Sequence, residues 1–178
     1  TRSKIPGSGV VNVVDRGIIP LQNPLDNSAE DYSEKLNVLF NDQTIKYVFL
    51  PKGVYPIKNT IVLGTNTHLI GTVPNFTEIR VHPLWRPGQR VDAIRTVNNA
   101  AATTTISNLL IKIDASKGNN YFDAIHWQAG KNSVIYYAHV DTYGAPGPSR
   151  CRTATEQYGN ERNDYHFSGN GGGRVWGT

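Results

Sequence analysis

The sequence predicts an all-β chain built as a solenoid of parallel strands, with one helix near its amino-terminal end. Three observations carry this expectation. Between Tyr47 and Gly71 the chain reads as four very short β-runs, broken by Pro-x-Gly, Asn-Thr and Gly-Thr turns. Runs of about three to five residues are too short for a sheet built by hairpins alone. A chain that makes such strands and turns again at once is coiling, each strand stacking on the one a full turn earlier. The second observation is a weak internal repeat, and the third is the single convincing helical pattern ahead of the strands.

In chain order, residues 1–24 are rich in Gly, Pro and Val, with a β-like run at Val10–Val14. Residues 26–40 change character. Asp26-Asn27-Ser28 can cap a helix, Glu30 and Asp31 would sit in its first turn, and Leu36, Leu39 and Phe40 give it an apolar side. This divides the chain into residues 1–45, an amino-terminal segment with a capping helix, and residues 46–178, the coils. Parallel strands are expected at Val48–Leu50, Leu69–Ile70, Leu109–Ile113 and Ile135–Val140.

The repeat sets Asp92-Ala93-Ile94-Arg95 against Asp123-Ala124-Ile125-His126. Downstream of each come a turn, a Ser (Ser107 or Ser133), an apolar strand, an Asp (Asp114 or Asp141) and a Gly-containing loop. A spacing on the order of 25 to 30 residues is one coil of a β-solenoid. A degenerate third unit is expected at Asp164-Tyr165-His166-Phe167. Between the second and third lies a polar insertion, Tyr143 to Asn163, and insertions in solenoids collect on one face, often the binding one. The terminal Gly169–Thr178 run reads as a turn leading into another strand with no polar cap. Continuation in a longer chain, or completion by a second β-helix domain or a partner, is therefore expected.

Composition bounds the function. The 178 residues suit one domain or part of a larger one, with a formal charge of +4. Arg80, Arg86, Arg90 and Arg95 are scattered among Pro and apolar residues, unlike the concentrated basic face of a nucleic-acid reader, so no nucleic-acid partner is expected. An acidic polysaccharide fits the mild basicity. No run approaches the ~20 apolar residues of a membrane helix, and no membrane partner is expected. The lone Cys151 excludes a disulfide framework and a cysteine-rich metal site. No acidic cluster suggests a bound metal, and no cofactor is implied. The absence of Met marks Thr1 as a processed or trimmed end, consistent with a secreted, extracellular protein.

A family resemblance completes this reading. Val13-Val14-Asp15-Arg16-Gly17, Asp26–Glu30, Val48–Tyr55 and Leu69-Ile70-Gly71 resemble the amino-terminal cap of pectate-lyase-like proteins. That likeness implies a right-handed parallel β-helix with an N-terminal capping helix. Ala124–Ala129 and the terminal Gly-rich run resemble, more narrowly, the first domain of two-domain β-1,3-glucanases, the laminarinases. The narrower likeness implies a secreted glycoside hydrolase whose catalytic acid lies on a second domain. It also implies that Gln128 helps to hold the attacking water; Lys131 stands where the pattern has a second Gln.

The candidate catalytic residues are Gln128, His126, Asp123 and His166. Imidazoles transfer protons near neutrality, and carboxylates serve as acid and base in glycosidases. Trp127, Tyr143, Asp164 and Trp176 are candidate substrate-binding residues, the aromatic rings as stacking platforms for sugars alongside Tyr136 and Tyr137. Each has a structural alternative: an Asp at a strand end accepts backbone hydrogen bonds, and aromatic and His side chains pack in the core. A polysaccharide lyase on uronate polymers, with Lys112, Lys117 or Arg150 as base, and a non-catalytic rod such as a phage tail fibre are the other classes.

Overall fold

The computed structural model describes residues 9–22, 30–74, 76–85, 91–114, 122–143 and 175–177. It is mostly β, with parallel strands in curled sheets and one α-helix among the described residues. The strands are β1 (Val10–Asn12), β2 (Tyr47–Phe49), β3 (Gly53–Ile57), β4 (Ile61–Leu63), β5 (His68–Ile70), β6 (Thr77–Val81), β7 (Val91–Thr96), β8 (Thr105–Asp114), β9 (Phe122–Trp127), β10 (Val134–Tyr143) and β11 (Val175–Gly177). The helix, α1, spans Ser33–Asn41.

Every pairing between named strands is parallel. The parallel segments expected from the turn spacing are therefore present. Strands β1, β2, β5 and the first residues of β8 and β10 form one ladder. Strands β3, β6 and the later residues of β8 and β10 form a second. Strands β4, β7, β9 and β11 form the third. The chain visits the three in this order each time round, so each ladder gains one strand per circuit.

One continuous core lies between the ladders. Val48, Leu69 and Ile106 stack from the first, Tyr55, Ile79 and Ile111 from the second, and Ile61, Ile94 and Ile125 from the third; all nine are buried. Alternation along each strand sends one set of side chains inward and the next outward.

The amino-terminal segment closes the first end of this stack. An edge strand presents unpaired backbone groups that need covering. Strand β1 covers β2. Leu21 forms an antiparallel bridge with Val54 of β3. Helix α1 lies along β4, where the Asn37 amide donates to Thr60 O (3.0 Å) and accepts from Val62 N (2.8 Å). Leu36, Leu39 and Phe40 are buried as their spacing predicts.

Two expectations are corrected. The helix begins at Ser33, so Glu30 and Asp31 precede it. Its start is held by the Asp31 carboxylate, which accepts from Ser33 N (3.0 Å), while Asp26-Asn27-Ser28 lie outside the described residues. The second correction concerns the repeat. Asp92 pairs with Asp123, Ile94 with Ile125 and Arg95 with His126, as the motif suggests. Downstream, however, Tyr136 pairs with Ser107 and Asp141 with Lys112, so Ser133 does not match Ser107, nor Asp141 Asp114. The turn between the two halves differs in length, which shifts the register. The segment Asp164–Phe167, expected to begin a third unit, lies outside the described residues. Among the described residues β11 follows β9 on its ladder, with Trp176 opposite His126.

Candidate functional site on the third ladder

The repeat places a charged strip on the third ladder. Register sets Val62, Arg95, His126 and the backbone of Trp176 side by side on β4, β7, β9 and β11. Adjacent strands lie about 4.8 Å apart, so equivalent side chains form a row across them. On β7 the core takes Ala93 and Ile94, and Arg95 points outward. On β9 it takes Phe122, Ala124 and Ile125.

Asp92 organises the strip. Its Oδ2 lies 3.1 Å from His126 Nδ1 and 4.0 Å from Arg95 Nη1. A carboxylate at Nδ1 holds the ring proton there, so the lone pair of the neutral imidazole resides on Nε2. The two side chains differ in depth: that of Arg95 is 47% exposed and that of His126 13%. An incoming ligand therefore meets the guanidinium first. Asp92 is itself positioned through its backbone, whose carbonyl accepts from Thr60 Oγ1 at 2.6 Å.

The structure brings several of the sequence candidates to this place. Asp123 is buried beside Asp92 in register. Gln128 follows β9, partly buried, with its backbone N–H donating to the buried Thr96 Oγ1 (2.6 Å). Trp127 is partly buried and packs on the core. The backbone of Trp176 joins the row, while its side chain lies outside the described residues. Tyr143 ends β10 on the second ladder, opposite Asp114, and its side chain is likewise outside them. His166, Asp164 and most of the Tyr143–Asn163 insertion also lie outside.

Sequence reasoning missed Asp92 and Arg95 as site residues. The signal was present, because the matched Asp-Ala-Ile-Arg and Asp-Ala-Ile-His motifs imply that Arg95 and His126 are neighbours. It also missed a second charged row on the outer side of the second ladder. There Glu78 and Arg80 form a buried ion pair, Arg80 stands beside Lys112, and Lys112 Nζ lies 3.9 Å from Asp141 Oδ2. Each cation in that row has a carboxylate of its own, whereas Arg95 and His126 share Asp92, and this suits the second row to a structural role. Among the described residues, no group of three or more His, Cys, Asp or Glu could hold a metal ion. No helix among them is long and apolar enough to cross a membrane.

The model of the family described as rhamnogalacturonase A/epimerase, pectate lyase-like, matches residues 10–176. The chain belongs to that family. The match runs from β1 to β11 and so takes in the cap, all three ladders and the Asp92–Arg95–His126 strip. It agrees with the pectate-lyase-like resemblance and does not extend to the laminarinases. The family is generally carbohydrate-active, which marks the chain as a pectate-lyase-like protein related to polysaccharide chemistry. No curated protein and no solved structure matches.

Proposed function

We propose that the circuits of parallel strands are coils of a right-handed β-helix, and that its third ladder binds and processes a uronate-bearing polysaccharide outside the cell. Connections between parallel strands are right-handed in nearly all known cases, which supports the handedness. The contact of His126 with Asp92, beside the exposed Arg95, carries the functional reading. Arg95 is suited to pair with a sugar carboxylate through two parallel hydrogen bonds. His126, oriented by Asp92, takes the proton on the carbon next to that carboxylate once substrate displaces the cover over its Nε2, which is buried in this structure. The electron pair left behind is stabilised by the neutralised carboxylate. It either expels the glycosidic oxygen, giving an unsaturated end, or is reprotonated. The net charge of +4 favours approach of an acidic polymer. Gln128, beside the end of β9, would hold a sugar hydroxyl or water, since an amide both donates and accepts.

The β-1,3-glucanase reading rests on the likeness at Ala124–Ala129 and the terminal Gly-rich run, and makes a different product. Polygalacturonate, rhamnogalacturonan and laminarin are therefore incubated separately with the protein, following reducing ends and the ultraviolet absorbance of unsaturated uronate. On a uronate polymer, His126→Ala should lower turnover by about 10²- to 10⁴-fold while binding changes little. Arg95→Ala should weaken binding of the uronate polymers and leave laminarin unaffected. Cleavage of laminarin only, or turnover indifferent to His126→Ala, would overturn the uronate proposal.

A further inference from the structure

We infer that Tyr136 and Tyr137 form a second glycan-binding subsite, on the corner between the first and second ladders. This rests on the protein being polysaccharide-active and concerns a face separate from the Arg95–His126 strip.

Three residues occupy this corner on successive coils. The pairings of Ile70 and Tyr136 with Ser107 place Gly71 and Tyr137 on either side of Asn108. The corner is tight: a Cβ on Gly71 would lie 2.2 Å from Asn108 O. Both later residues turn it in the left-handed region, with φ of 58° at Asn108 and 49° at Tyr137. Asn tolerates that conformation because its short polar side chain suits it. A Tyr there is a strained choice, and folding gives no reason for it. The ring is not used by the core, since Tyr137 is 72% exposed.

Its neighbour shares that exposure. Tyr136 is 44% exposed, and the two rings meet edge to face, with centroids 5.9 Å apart and planes at 78°. Val134, two residues earlier on the same outward side, is exposed too. Tyr136 is outward by the alternation of β10, with Ile135 turned to the core. A further strand laid on β10 would therefore leave the pair on the surface. Two tyrosines at right angles offer one apolar ring face and one hydroxyl beside it. That combination matches a sugar ring, with its C–H face and equatorial hydroxyls. Tyr136, Tyr137 and Val134 carry no charge, so the subsite would recognise the sugar ring rather than its carboxylate.

Strain and binding can be separated experimentally, because Asn at position 137 repeats what already stands at position 108. Polymer retardation in affinity gels, with the same three polysaccharides, and thermal melting are measured on the wild-type protein and its variants. Tyr137→Asn should raise Tm by about 2–4 °C. It should also weaken polymer binding by about three- to tenfold, with turnover at saturation unchanged. Tyr137→Phe should bind within about twofold of wild type, and Tyr136→Ala should show a loss like that of Tyr137→Asn. Unchanged binding by Tyr137→Asn, in a protein whose turnover still depends on His126, overturns this subsite alone. Failure of the wild type to bind any polymer overturns the subsite and the polysaccharide reading together. A change in self-association only, seen by sedimentation, assigns the patch to a second copy of the chain and overturns the glycan subsite.

Discussion

At the scale of single residues, outward positions on the first ladder show how local burial tunes chemistry. The Tyr47 ring stacks on that of His68, with centroids 4.6 Å apart and planes at 18°. Burial holds the His68 pKa below its ordinary 6.5, and the neighbouring Lys46 charge lowers it further. The unfolded chain therefore takes up a proton at a higher pH than the folded one. Folding is favoured fully above pH 6.5, and this contribution is lost as pH falls through the folded value. Tm measured against pH should decline on the acid side of about pH 6.5, and His68→Asn should flatten that decline. An acid limb identical in the variant would show that His68 is not its source. A different residue-scale feature is Ser107, whose buried hydroxyl has no hydrogen-bond partner among the described residues. Nothing in the sequence marks that hydroxyl as buried, because a serine on a strand reads as outward and solvated.

At the scale of elements, α1 works as a strand substitute. Asn37 sits mid-helix and matches the spacing of β4, supplying one donor and one acceptor where a neighbouring strand would supply backbone groups. At the start of the helix, Asp31 Oδ1 and Ser33 Oγ accept from the backbone of Lys58 and Asn59 just after β3. Replacing Asn37 by Ala leaves Thr60 O and Val62 N at an edge without those partners. The expected cost is about 1–3 kcal/mol in chemical denaturation, with faster hydrogen exchange at Val62. Exchange at Val62 unchanged in the variant would mean that water replaces the amide fully. The apolar side of α1 was legible in Leu36, Leu39 and Phe40, whereas its start was not. Asp26-Asn27-Ser28 reads as the cap in sequence, whereas the contacts of Asp31 and Ser33 with the end of β3 accompany a start at Ser33. The apolar runs Leu109–Ile113 and Ile135–Val140 were legible, but the continuation of β8 back through Asn108 to Thr105 and the bend at Tyr137 were not.

At the scale of the molecule, the core has no internal boundary. Buried side chains run without a break from Val13 to Val140, with α1 included. Each strand contacts mainly its neighbours on its ladder, so the depth of a residue in the stack sets the cost of losing it. Ile111 is fully buried between Ile79 and Val140, whereas Ile135 is half-buried on β10. Ile111→Ala should therefore cost about 2–5 kcal/mol and Ile135→Ala distinctly less, measured as shifts in the denaturant midpoint. Equal costs would argue that β10 is covered as deeply as the middle of the stack.

The sequence by itself determined the strand-and-turn rhythm, the helix and its apolar stripe, the pectate-lyase-like likeness, and the equivalence of Asp92–Arg95 with Asp123–His126. These depend on local periodicity and turn chemistry, which a single chain displays openly. Tertiary structure alone decided the rest. The contact of Asp92 with His126 joins residues 34 apart in sequence, and the displacement of Ser133 from Ser107 follows from the length of one turn. In a stack of parallel strands, register depends on how many residues each corner absorbs. A one-residue slip of a strand against its neighbour would turn all of that strand's side chains to the opposite face.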